Sequence, residues 1–162
     1  MEQKHWHRDE TTGQYAHEAS ILVNAPAETC FAIWSQLENL PRIMKHIERV
    51  QMTGSTTSHW EARVMGVHLE WDAVTTALHP PDAIAWTATE GVQNSGSVRF
   101  VPTPEGCRIV VHLMYDPPYG ILGDLAAVTR VNDEFYADLM DDLQRFKEAI
   151  ESGQTAQYRK AA

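Results

Sequence analysis

Residues 21–44 read ILVNAPAETCFAIWSQLENLPRIM and carry the most informative pattern in the chain. An apolar strand stops at Asn24-Ala25-Pro26, an amphipathic helix is predicted from about Ala27 to Leu37, and a second break follows at Asn39-Leu40-Pro41. Because proline fixes φ and lacks an N–H, Pro26 suits the first turn of one helix and Pro41 suits the start of another. The stretch therefore predicts a strand followed by two short helices.

The next part of the chain alternates apolar and polar residues, which predicts antiparallel strands. A two-residue turn at Gly66-Val67 places three apolar pairs on one face: Val64 with Leu69, Ala62 with Trp71 and Trp60 with Ala73. The same reasoning for the following hairpin pairs Trp86 with Val98, Ile84 with Phe100 and Ala88 with Gly96. Ile109, Val111, Leu113 and Tyr115 then continue the apolar face.

From Ile121 to Ile150 the period of the apolar residues changes from 2 to 3.6, which predicts one long amphipathic helix. Strand, two short helices, several strands and a long C-terminal helix is the order of an α+β helix-grip domain. In that fold a curved antiparallel β-sheet wraps around the helix and leaves an internal hydrophobic cavity. We expect a flexible arm over residues 1–16, the domain over 17–151 and a flexible tail over 152–162.

The composition limits the classes of function. A net charge of −9 argues against nucleic-acid binding and against attraction to anionic membrane surfaces. No run approaches 18 apolar residues, so no membrane span is predicted. The opening residues have no apolar core of a secretory signal, which favours a cytoplasmic protein. Cys30 and Cys107 lie in apolar contexts and are expected to be reduced thiols of the core.

A search for catalytic chemistry finds few motifs. The chain has 8 histidines, but it lacks HExxH, CxxC, GxSxG and phosphate-binding glycine loops. We therefore predict no metal and no cofactor. The inner face of the predicted sheet contains no His, Asp or Glu.

Aromatic residues dominate that inner face instead, with polar residues nearby. Ordinary packing in a core is the alternative for any one of them, but several facing one concavity resemble an apolar pocket with polar anchors. Asn132 is the polar interruption in the stripe of the long helix. The predicted ligand-binding residues are Trp34, Trp60, Trp71, Thr75, Trp86, Phe100, Tyr115 and Asn132, with the Asp116–Gly120 loop as a gate.

Several segments together resemble one known family: ILVNAPAETCFAIWSQLENLPRIM, HWEARV, HLEWDA, IAWTATEG, SGSVRF, YDPPYG and LQRFKEAIESG. They are similar to the bacterial polyketide cyclase/dehydrase-like proteins of the START-like (SRPBCC) superfamily over about residues 18–154. The resemblance implies a cavity for a hydrophobic ligand. Aromatic polyketide cyclases of this superfamily use cavity tyrosine and arginine side chains. The corresponding positions fall near Ile47 and Thr75, which favours binding over cyclase chemistry.

Three functions remain open at this point. The first is binding of a small hydrophobic molecule such as a polyketide, a quinone or a lipid. The second is an aromatic polyketide cyclase or dehydratase, with Tyr115 or His46 as the acid–base group. The third is a protein-interaction module with a vestigial cavity, and Val110 and Met114 on the outer face could support a homodimer.

Overall fold

The computed structural model describes residues 5–116 and 125–153. These residues form one antiparallel sheet of eight strands in the order β1-β2-β8-β7-β6-β5-β4-β3, together with two α-helices and a 3₁₀ helix. The elements in chain order are β1 Trp6–Arg8, β2 Tyr15–Val23, α1 Ala27–Trp34, the 3₁₀ helix Leu37–Arg42, β3 Ile47–Met52, β4 Thr57–Val64, β5 Val67–His79, β6 Ala83–Gly91, β7 Asn94–Thr103, β8 Gly106–Tyr115 and α2 Leu125–Glu151. The α+β helix-grip prediction of a curved antiparallel sheet with a long C-terminal helix is confirmed.

The two short helices follow β2 as predicted. Pro26 caps α1 with φ −61°, the value that its ring favours, and its carbonyl accepts the amide hydrogen bonds of Thr29 and Cys30. The second helix differs from the prediction, because Pro41 lies inside the 3₁₀ helix instead of at the start of an α-helix.

Both hairpin registers predicted above are wrong by two residues, although the apolar face is right. Val64 pairs with Val67, and Trp60 pairs with Trp71. The turn is Met65-Gly66, with φ of 52° and 75°, so both central residues adopt the left-handed conformation of a type I′ turn. In the next hairpin Trp86 pairs with Gly96. A shift of two keeps every side chain on its face, so alternation alone cannot detect it.

Part of the segment for which the sequence predicts a flexible arm, residues 1–16, lies in the sheet. β1 pairs with β2, and the Trp6 side chain is buried in edge-to-face contact with Tyr15 at a ring-centroid distance of 5.8 Å. Residues 6–8 therefore form the edge strand of the sheet. The segment has no strand-length apolar run, and its pairing with β2 and the packing of Trp6 hold it in the sheet.

The main core lies between the sheet, α1 and α2. Its fully buried side chains include Ile33, Leu40, Phe100, Leu143 and Phe146. Cys30 and Cys107 are buried free thiols, as predicted, and burial raises the pKa of Cys30 to about 12. Val110, expected on an exposed dimer face, is buried within the chain. No described helix is both long and apolar enough to span a membrane.

Candidate ligand-binding site

The inner face of the sheet carries a pair of stacked tryptophans. Trp60 and Trp71 are direct cross-strand partners, with ring centroids 6.0 Å apart and an angle of 8° between the planes. The Trp60 indole N–H donates to Ser58 Oγ at 2.8 Å. The Trp71 indole N–H is buried and has no hydrogen-bond partner among the residues that the structure describes. The Trp60 N–H is therefore hydrogen-bonded, whereas the Trp71 N–H is a buried donor without a partner among the described residues.

Small residues form the sheet surface beside this pair. Ser58 pairs with Ala73, and Ala73 pairs with Ala88, so three small buried side chains make one row across β4, β5 and β6. Because this row has no large side chains, the space above it is open to the neighbouring tryptophan rings. Large aromatic rings therefore lie next to small residues on this face of the sheet.

Trp86 lies one row further on, opposite Thr75 on one side and Gly96 on the other. The ring covers Gly96, where an added Cβ would lie 2.7 Å from Trp86 Cζ2. The Trp86 N–H donates to Asn94 Oδ1 at 2.9 Å, and Asn94 is the cross-strand partner of Tyr115. Trp86 thus connects the aromatic surface to the polar side chains at the other end of the sheet.

A buried polar cluster occupies that end. Asn132 of α2 is fully buried and accepts two hydrogen bonds on Oδ1, from Tyr115 Oη at 2.6 Å and from His17 Nε2 at 2.9 Å. Its amide nitrogen donates to the Val128 carbonyl at 2.9 Å. Burial raises the pKa of the Tyr115 hydroxyl, so this group stays protonated and acts as a hydrogen-bond donor.

His17 corrects the expectation that the inner face contains no histidine. Its side chain is 2% exposed, stacks 5.5 Å from Tyr115 and lies 4.8 Å from Phe135. The sequence offered one indication of this burial. His17 lies two residues before the buried Ala19, so both side chains lie on the same face of β2. The apolar run that marks β2 in the sequence begins only at Ile21, so local hydrophobicity does not place His17 in the strand.

The other predicted residues lie apart from this cluster. Trp34 and Phe100 pack with Phe146 at the α1 end of the core. The ring centroid of Trp34 lies 6.0 Å from that of Phe100 and 5.0 Å from that of Phe146. Thr75 lines a hollow of about 300 Å³ that also includes Leu37, Met52 and Ile84. Of the proposed gate, only Asp116 lies within the described residues.

A second histidine joins α2 to the sheet. His46 Nδ1 lies 2.9 Å from Asp142 Oδ1, and its Nε2 lies 3.3 Å from Asp138. Asp142 is buried, and burial raises its pKa against the opposing effect of His46. Both carboxylates are thus engaged by His46, and Asp142 also accepts from backbone amides. This contact fastens the loop before β3 to α2.

Comparison with known proteins identifies the family. Residues 23–144 match the family described as "Polyketide cyclase / dehydrase and lipid transport". The chain belongs to this family. An uncharacterised 17.2 kDa protein of Streptomyces lincolnensis is 30% identical over 139 residues, which are 83% of this chain and 88% of the relative.

Solved structures agree on the fold. A START superfamily protein from Mycobacterium smegmatis has a TM-score of 0.72 at 17% identity, covering 85% of this chain and 99% of that protein. The Zhui aromatase/cyclase from Streptomyces sp. R1128 has a TM-score of 0.65 at 19% identity, covering 85% and 96% respectively. The polyketide cyclase/dehydrase-like protein thus has the START-like fold.

Proposed function

We propose that this family member binds a small hydrophobic molecule of polyketide, quinone or lipid type between its sheet and α2. The observation that carries the proposal is the buried Trp71 N–H, which has no partner among the described residues. An unpaired buried donor costs about 1–3 kcal/mol, and a ligand oxygen would remove that cost. The family and the fold support the proposal.

In this proposal the predicted residues divide by role. The indole rings of Trp60, Trp71 and Trp86 contact the ligand, because they lie beside the row of small residues. Thr75, Tyr115 and Asn132 are polar anchors. Trp34 and Phe100 complete the apolar side and hold α1 in place through their ring contacts with Phe146 and Phe31.

Native mass spectrometry of the protein purified from its own host tests this function. We expect one hydrophobic molecule per chain, with lower occupancy in Trp71→Phe, which keeps an aromatic ring and removes the N–H. Ile150→Val is the control, because it trims a buried side chain near the C-terminal end of α2 that is not among the proposed ligand-binding residues. A ligand-free mass in several preparations, or full occupancy in Trp71→Phe, would contradict the proposal.

A second candidate function is aromatic polyketide cyclisation or dehydration. The observation that favours it is the buried Tyr115 hydroxyl, held at a fixed position by Asn132. Turnover of a poly-β-ketone analogue, lost in Tyr115→Phe, would support catalysis. Unchanged turnover in a folded Tyr115→Phe protein would exclude Tyr115 as the acid–base group.

A further inference from the structure

The hydrogen bonds of Asn132 determine the protonation of His17. Asn132 Oδ1 is an acceptor only, so both groups that contact it must donate a hydrogen. His17 Nε2 therefore carries a proton. The amide orientation is fixed independently, because Nδ2 of the same residue donates to the Val128 carbonyl.

The other ring nitrogen of His17 is then a bare acceptor. Burial lowers the pKa of His17, so the imidazole is neutral and Nδ1 has a free lone pair. This nitrogen is buried and has no hydrogen-bond partner among the residues described in the structure. An acceptor left unpaired in a side chain that is 2% exposed is an unfavourable arrangement unless a donor reaches it.

The position of His17 connects it to the proposed site. Successive cross-strand pairs run from His17 to Leu113, Gly96, Trp86 and Thr75, so all five residues share one row of the inner face. Gly96 contributes no side chain, and Trp86 covers it. The free nitrogen thus belongs to the same row as two residues of the proposed site.

At the His17 ring the cluster offers a free acceptor and no free donor. The Tyr115 hydroxyl and the His17 Nε2–H are both committed to Asn132, whereas the Tyr115 oxygen and His17 Nδ1 keep lone pairs. A carbonyl or carboxylate brought to these atoms would add another acceptor. A hydroxyl supplies the missing donor.

From these observations we infer that His17 Nδ1 accepts a hydrogen bond from a hydroxyl group of the hydrophobic ligand. The inference rests on the proposed function and narrows its ligand class to alcohols and phenols. His17 is a specificity-determining residue in this scheme.

Equilibrium dialysis with 2-naphthol and 2-methoxynaphthalene tests the inference, because the two probes share a ring system and differ in the hydroxyl hydrogen. We expect the protein to bind 2-naphthol about tenfold more tightly, which corresponds to about 1.4 kcal/mol. His17→Phe should bind both probes equally, and His17→Gln, whose amide has a carbonyl acceptor, should recover part of the preference.

The outcomes separate the two proposals. Failure of both probes to bind would count against the binding function itself. Equal binding of the probes by the native protein, or an unchanged preference in His17→Phe, would overturn only the role of His17.

A spectroscopic readout complements the affinities. The imidazole ¹⁵N signals of His17, assigned by comparison with His17→Gln, should show a bare Nδ1 that shifts when 2-naphthol is added. A signal for Nδ1 that is already hydrogen-bonded in the free protein would show that another donor occupies this nitrogen and would overturn the inference.

Discussion

At the scale of single residues, Asn132 is a fully buried polar side chain of α2. Its side chain uses both polar atoms, and three elements meet there because His17 belongs to β2, Tyr115 to β8 and Asn132 to α2. A buried network of this kind stabilises only when every member is satisfied. The free Nδ1 of His17 is the exception.

Removal of this amide should be costly. In Asn132→Ala the donors of Tyr115 and His17 lose their acceptor, and each unpaired buried group costs about 1–3 kcal/mol. We expect the free energy of unfolding in urea to fall by about 3 kcal/mol. Asn39→Ala is the control, because Asn39 Nδ2 donates to the nearby Gln36 side chain and should cost less than about 1 kcal/mol. Equal losses would contradict this account.

The buried imidazole of His17 should make stability depend on pH. Burial lowers its pKa from the ordinary 6.5, with a smaller contribution from His7, against the opposing effects of Asn132 and Asp133. Below 6.5 the unfolded chain therefore binds a proton that the folded chain does not, so stability decreases as pH falls toward the folded-state pKa.

Urea unfolding at about pH 7.5 and about pH 5.5 measures this dependence. His17→Gln should lose less stability on acidification than the native protein. His59 gives the opposite sign, because its hydrogen bond to Asp72 raises its pKa; its contribution is present below 6.5 and is lost as pH rises through the folded-state pKa. His59→Gln should therefore lose more stability on acidification. An equal loss of stability on acidification in the native protein and in His17→Gln would refute the assignment.

At the scale of elements, Asp142 fastens the loop before β3 to α2. One carboxylate oxygen accepts the Lys45 amide at 2.9 Å and lies 2.9 Å from His46 Nδ1. Asp138, one turn earlier, lies 3.3 Å from both His46 Nε2 and the Met65 amide. One face of α2 thus holds two separate connections of the sheet.

Neighbouring aspartates allow a matched test of this contact. Asp142→Ala should lower the free energy of unfolding by about 2–4 kcal/mol, because it leaves buried donors without an acceptor. Asp141→Ala removes only an exposed i,i+4 pair with Arg145 and should cost about 0.5 kcal/mol or less. Thermal or urea unfolding of both variants decides the matter, and a similar small loss in each would show that the loop is held by other contacts.

At the scale of the whole molecule, β1 extends the domain beyond the boundary predicted from the sequence. Trp6, Tyr15 and Tyr115 form a second buried cluster, separate from the main core. Val128 and Phe135 of α2 pack against it. The N-terminal strand therefore covers the end of the sheet at which the His17 cluster lies.

A substitution in β1 should consequently destabilise the domain. Trp6→Ala removes a buried aromatic ring and should cost about 3 kcal/mol. His7 is exposed on the same strand, so His7→Ala should change stability by less than about 0.5 kcal/mol. Global urea unfolding measures both changes. An unchanged free energy of unfolding in Trp6→Ala would show that β1 does not stabilise the domain.

The sequence by itself determined the order of a strand, two short helices, further strands and a long helix, together with the faces of the strands and the stripe of that helix. The breaks made by prolines such as Pro26 and the spacing of apolar residues such as Trp60 and Phe146 are local properties. They can be read from the sequence without knowledge of tertiary contacts. The quoted segments also identified the family. Asn132 was recognised as an unusual residue because it interrupts an otherwise apolar stripe.

Tertiary structure alone decided strand register, the place of β1 and the chemistry of the candidate site. A shift of two residues preserves alternation, so only the stacking of Trp60 on Trp71 and the packing of Trp86 over Gly96 distinguish the registers. His17 and Asn132 are 115 residues apart in sequence, and no local pattern relates them. The free nitrogen of His17 exists because of that distant contact, since Asn132 fixes which ring nitrogen carries the hydrogen.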